Sequence, residues 1–172
     1  MKLHDLRSKI LSIPLMKLIP DTMQERLGMI FLWVSEAEQM TEGEHLYEEG
    51  QHDENLGCLL LDGAVIIRKG DHEPITVEGP ALLGEMQQFT PDQARTATVE
   101  LATAGLVLKF EWHEFVALSM AYLTKAEQAT LKEVITRSAS KRFRELYDQT
   151  VEEALAKGLA EEEAASGQEA ES

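Results

Sequence analysis

The rhythm of apolar and polar residues changes twice along the chain. Up to about residue 40 the apolar positions recur at helical spacing, in pieces broken by Pro14 and Pro20. Met23, Leu27, Ile30, Phe31 and Val34 share one helix face, with Asp21 and Thr22 as candidate N-cap oxygens in front of them. Residues 41–111 read differently. Short apolar runs are punctuated by Gly43, Gly50, Gly57, Gly63, Gly70, Gly79, Gly84 and Gly105, the spacing of short strands in a sandwich or jelly roll. The run Cys58–Leu61, then Asp62-Gly63, then Ala64–Ile67 predicts a hairpin, because Asp-Gly supplies the positive φ of a tight turn. Thr96–Leu101 and Leu106–Phe110 predict a second pair of strands.

Helical periodicity returns at Trp112. Trp112, Phe115, Val116 and Met120 predict one helix, and Thr124 is a candidate cap for the next. That next helix is long: Leu131, Ile135, Ala139, Phe143, Tyr147, Val151 and Leu155 follow at steps of four. Past Gly158 the composition narrows to Ala, Glu, Ser and Gly, so 159–172 is expected to be an acidic, disordered tail. The pattern therefore predicts an α+β chain, with N-terminal helices (1–40), a β region (41–111) and C-terminal helices (112–158). Its 172 residues suit about one domain.

Charge and cysteine content remove several function classes. With 16 Lys+Arg against 31 Asp+Glu the net charge is −15, a surface that repels phosphate backbones and anionic lipid. Neither nucleic acid nor membrane is expected as a partner. Cys58 is the single cysteine, so no intrachain disulfide forms, and a cytoplasmic protein is the default expectation. No apolar run nears the roughly 20 residues of a membrane span. The five histidines form no His-x-His or His-x-x-x-His pair, so no metal site is expected. His45, His52 and Asp53 read as turn-surface residues, and Cys58 as an inert buried thiol. No G-x-S-x-G is present, and no enzymatic activity is expected.

The informative segment is 82–101, LLGEMQQFTPDQARTATVEL. Gly84 lets the backbone turn, Glu85–Phe89 can form a short helix, and Arg95 leads into the next strand. Backbone N–H groups and a guanidinium beside them suit a small anion. Glu85 would be self-defeating there unless it binds another part of the ligand, such as a sugar hydroxyl.

The order of these features, from EGEHLYEEGQ through LGCLLLDGAVIIRKG and GE…ARTATV to WHEFVAL, resembles the cyclic-nucleotide-binding domain family over residues 37–118. This family includes catabolite activator protein, protein kinase regulatory subunits and cyclic-nucleotide-gated channels. The resemblance implies an antiparallel β-roll, jelly-roll-like, flanked by N-terminal helices and a long C-terminal helix. It implies that Glu85 accepts hydrogen bonds from the ribose and Arg95 pairs with the cyclic phosphate. Gly84, Met86 and Gln87 would help hold phosphate and sugar, with Thr96 and the small Ala97 following Arg95. Arg142, Phe143 and Tyr147 are candidates to cover the base. Leu83 departs from the aromatic common before Gly-Glu, and Gln87 and Gln88 replace small or apolar residues. The implied function is a cGMP or cAMP sensor, with no other cofactor, that signals to a protein effector through helix movement. Through Thr96 the site is expected to accept cGMP at least as well as cAMP, and the long helix suggests a homodimer. The alternative is a degenerate domain that serves as an interaction scaffold. A DNA-binding role is not expected, since the chain ends in Ala, Glu and Ser soon after Leu159.

Overall fold

Two four-stranded antiparallel sheets share one apolar interior, and a layer of helices covers the outside of the first. The computed structural model describes residues 3–53, 55–88, 94–142 and 144–145. The first sheet runs β1 (Ser35–Met40), β8 (Gly105–Glu111), β3 (Leu56–Leu60), β6 (Ala81–Leu83). The second runs β2 (His45–Tyr47), β7 (Thr98–Leu101), β4 (Ala64–Arg68), β5 (Ile75–Glu78). Four α-helices complete the α+β β-roll: α1 (Leu3–Leu11), α2 (Asp21–Val34), α3 (Trp112–Tyr122) and α4 (125–142).

The strands of the expected hairpin are present but do not pair with each other. β3 pairs with β6 and β8, whereas β4 pairs with β5 and β7. Asp62-Gly63 is a corner that carries the chain from one sheet to the other, with Gly63 at φ +85°. The same holds for β7 and β8, which also lie in different sheets. The two corners fasten to one another: Leu61 N donates to Leu106 O (2.8 Å) and Ala102 N to Ala64 O (2.8 Å).

Burial on both faces explains the unbroken apolar run in β3. Leu59 faces the helical layer beside Leu108, Phe110 and Phe31, while Cys58 and Leu60 face the interior of the roll with Val65, Leu83 and Val107. A sheet covered on both sides carries no alternation. Its neighbour β1 shows the converse. Ser35–Met40 is polar and falls in the stretch expected to be helical, yet it pairs along its whole length with β8, and Lys109 reaches Glu38 across the pair (2.6 Å). A charged edge strand is held by its ladder rather than its hydrophobicity.

The helices correct one further expectation and bear out two. α2 is capped by neither Asp21 nor Thr22. Its N-cap is Pro20, without a side-chain hydrogen bond, and Asp21 starts the helix. Trp112, Phe115, Val116 and Met120 do share one helix, α3, with Trp112 and Phe115 buried and Val116 and Met120 on its outer face, 41% and 66% exposed. Thr124 does cap α4 as a reciprocal box: Glu127 N donates to Thr124 Oγ1, and Thr124 N to Glu127 Oε2 (2.8 Å). Leu131, Val134 and Ile135 of α4 then enter the helical core of this same chain. Phe143, Tyr147, Val151 and Leu155, the continuation of the stripe, lie outside the described residues, as does the tail.

Candidate functional site

The turn at Gly84 sets the geometry of the segment singled out above. Gly84 has φ +82°, and a Cβ there would stand 2.6 Å from Tyr47 Oη and 3.0 Å from Leu56 O. Trp112 Nε1 donates to Gly84 O (3.2 Å), and Tyr47 Oη to Leu83 O (3.4 Å). A side chain at 84 is thus opposed by backbone strain and by lack of space. Immediately after it, Glu85–Gln88 form a single 3-10 turn. This turn carries Glu85, 1% exposed, to the floor of a cleft that Met86, Gln87, Arg95, Thr96, Ala97 and Arg142 also line. All seven residues expected to bind ligand therefore line one cleft, together with one of the three lid candidates. Phe143 lies outside the described residues, and so does Tyr147.

Arg95 is placed by its backbone before its side chain acts. Its N–H donates to Gln51 O (2.8 Å), and its carbonyl accepts from Gly50 N (2.9 Å). The guanidinium is 6% exposed and lies over the Tyr47 ring, 3.9 Å from the centroid. Its Nε donates to Asp53 Oδ2, and Nη2 donates to Asp53 Oδ1 (2.8 Å) and to Leu56 O (2.7 Å). Asp53 is in turn held by backbone: Asn55 N donates to Oδ1 (3.0 Å), with Asn55 itself at φ 61°. Asp53 is thus no turn-surface residue. It fixes the orientation of the one arginine in the cleft's roll-side wall. The sequence signal for it was slight, a D-x-N turn 42 residues before Arg95.

Glu85 has a partner that spacing could not show. Arg142, from the end of α4, donates through Nη1 to Glu85 Oε2 (3.0 Å) and to Leu82 O (3.0 Å). The same nitrogen stands 2.8 Å from Oε1, but without hydrogen-bond geometry, so Oε1 is buried with no hydrogen bond among the described residues. Burial pushes the Glu85 carboxyl above its ordinary value, and Arg142 opposes that rise. The native protein then retains on Glu85 a proton that the unfolded chain has released above about 4.5. The resulting stability is full below that pH and is lost as pH rises through the folded value. Glu85→Gln should flatten this stretch of a plot of Tm against pH. Parallel curves for the two proteins would contradict the assignment.

The cleft encloses only about 60 Å³, against roughly 300–1,000 Å³ for ordinary small-molecule sites. Arg142 is part of what fills it. Elsewhere, Glu111, His113 and Glu114 bring three metal-capable groups within 4.8 Å of one another at the start of α3, on the surface. Nothing further marks that cluster as a site. Cys58 is buried, and burial pushes its thiol up to about 12, as an unreactive cysteine requires. No helix among the described residues is long and apolar enough to cross a membrane.

No protein-family model and no curated protein sequence matches this chain. Solved structures do match in fold. A putative cyclic nucleotide-binding protein from Geobacter metallireducens is 16% identical, with a TM-score of 0.58 over 83% of this chain and 98% of its own. Catabolite activator protein from Thermus thermophilus is 15% identical, with a TM-score of 0.60 over 84% of this chain and 63% of its own. The regulatory domain of Toxoplasma gondii PKA, solved with cAMP, is 14% identical, with a TM-score of 0.59 over 80% of this chain and 49% of its own.

Proposed function

We propose that this chain, which has the β-roll fold of the cyclic-nucleotide-binding domains, binds a cyclic nucleotide in the Gly84–Ala97 cleft. One observation carries the reading. A buried carboxylate, one of whose oxygens has no hydrogen bond among the described residues, and a buried, oriented guanidinium line the same small cleft. A ribose hydroxyl would satisfy Glu85, and a cyclic phosphate would meet Arg95 in a charge-assisted bond. The neighbours in fold include the sensor domain of a transcriptional regulator and the regulatory domain of a PKA, which favours a regulatory role over an enzymatic one.

The cleft as it stands is the closed form. A nucleotide enters when Arg142 leaves Glu85, and Arg142 sits on α4, whose Leu131, Val134 and Ile135 are packed in the helical core. Ligand binding is thereby coupled to α4 as a shift between two packings, and a protein effector would read that shift. The described part of the α4 stripe is consumed by its own core, so a homodimer would rest on residues beyond 142.

A thermal-shift titration tests the reading. Nucleotide at 100 times its dissociation constant adds about 2.7 kcal/mol of stability. A second reading, the scaffold that binds no nucleotide, is favoured by the fact that Arg95 and Glu85 both have protein partners and by the 60 Å³ cleft. Melting curves unmoved by cAMP, cGMP and cyclic dinucleotides alike would leave that second reading standing.

Between nucleotides, the proposal favours cGMP at least equally. Thr96 is exposed at the rim of the cleft, where its hydroxyl can accept from the guanine amino group, which adenine lacks at that position. One neutral hydrogen bond is worth about 0.5–1.5 kcal/mol, roughly a two- to twelve-fold preference. Thr96→Ala should erase it in calorimetry. A wild type that binds cAMP tenfold tighter, or a ratio untouched by the substitution, would refute the role of Thr96.

A further inference from the structure

A larger cavity lies outside this cleft, between the outer face of α3 and the first turns of α4. It holds about 400 Å³ and is lined by Phe115, Ser119, Met120, Leu131, Lys132 and Ile135 among others. That volume is within the range of small-molecule sites and several times that of the proposed nucleotide cleft. Phe115, Leu131 and Ile135 form apolar, buried walls, while Met120 and Val116 are exposed at its opening.

Two polar groups distinguish it from a packing defect. Ser119 is 5% exposed, and its Oγ is buried without a hydrogen-bond partner among the described residues. A helical serine usually satisfies itself on the carbonyl four residues back; this hydroxyl does not. A buried, unmade hydrogen bond is costly, and an occupant that supplies a partner recovers that cost. Lys132, exposed on α4, adds a cation at the cavity, in a chain whose net charge of −15 would otherwise repel an anion.

The geometry points to a binding site for a small anionic amphiphile: an apolar body in the cavity, an acidic head at Lys132, and a hydrogen-bonding oxygen along the body for Ser119. The site is separate from the nucleotide cleft, yet α4 belongs to both through Ile135 and Arg142, and Gln88 of the 3-10 turn that begins at Glu85 also lines the cavity.

The test uses the full chain with 1-anilinonaphthalene-8-sulfonate as fluorescent reporter, displaced by decanoate and by hydroxydecanoates bearing the hydroxyl at successive carbons. Saturable binding at one site per chain is expected, with at least one hydroxydecanoate tighter than decanoate by about two- to twelve-fold. Ser119→Val should remove that advantage, and Ser119→Leu should fill the space and abolish binding. Lys132→Glu, at an exposed position that leaves the fold undisturbed, should weaken decanoate about three- to tenfold without affecting decanol. Near-ultraviolet circular dichroism checks that each variant is folded. The inference fails if the folded wild type shows no saturable binding. It fails equally if Lys132→Glu leaves decanoate affinity unchanged, or if folded Ser119→Leu binds as wild type does. These outcomes are independent of whether cyclic nucleotides bind.

Discussion

Arg95→Ala is expected to lower cyclic-nucleotide affinity by about 30- to several-thousand-fold, since removing one partner of a desolvated charge pair costs on the order of 2–5 kcal/mol. The same substitution should also weaken the fold. Arg95 is held by Asp53 and Leu56 O and lies over Tyr47, so its loss leaves Asp53, only 20% exposed, without its counter-charge. A part-buried carboxylate stranded in this way costs on the order of 1–3 kcal/mol. Arg95→Lys separates the two effects. It keeps the positive charge above Tyr47 but cannot make the forked contact with a carboxylate or phosphate. Calorimetry with cAMP and cGMP, beside melting curves of the apo proteins, should show affinity falling in both variants and Tm falling further in Arg95→Ala. Wild-type affinity in a folded Arg95→Ala protein would end the phosphate assignment.

Removing Arg142 should push stability and affinity in opposite directions. Breaking a buried ion pair typically costs 3–5 kcal/mol. Because Arg142 is still 19% exposed while Glu85 is 1% exposed, a loss on the order of 3 kcal/mol, at the lower end, is expected for Arg142→Ala. For a chain of this size that lowers Tm by roughly 6–12 °C. Nucleotide affinity should rise, because the ribose hydroxyls no longer compete with a guanidinium for Glu85 and now satisfy a carboxylate that has no other partner. The reasoning is that of a closed state whose population limits the apparent affinity. If Arg142 instead covers the base, as the family resemblance allows, the variant binds more weakly. Titrating Arg142→Ala with the nucleotide that shifts the wild-type melting curve decides between latch and lid.

Much of the cleft's local geometry was legible because its determinants are local. Gly84, Glu85 and Arg95 lie within a dozen residues, joined by one turn and one strand entry, and short-range order of that kind is written in adjacent letters. The capping box at Thr124 was readable for the same reason: Thr124 and Glu127 share a single turn of helix. Core-facing positions such as Met23, Leu27, Phe115 and Leu131 declared themselves through helical periodicity.

The partners were not legible. Asp53 lies 42 residues from Arg95, and Arg142 lies 57 residues from Glu85. Neither distance leaves a periodicity, and an Asp in a turn or an Arg on a charged helix has the same composition whether it faces water or a buried counter-charge. Strand pairing failed for a related reason. Cys58–Leu61 and Ala64–Ile67 were correctly read as strands about an Asp-Gly turn, but a positive φ at Gly63 serves a corner between sheets as well as a hairpin within one. What chose the corner was the helical layer over β3, which buries Leu59 on one side while Cys58 and Leu60 fill the roll on the other. By itself the sequence determined the α+β composition, the succession of a helical, a β and a second helical region, and the local turn at Gly84, because backbone propensity and side-chain periodicity act over a few residues. Only the tertiary structure decided which strands pair, which charges are buried together and how closed the cleft is, because those follow from desolvation and packing between segments far apart in the chain.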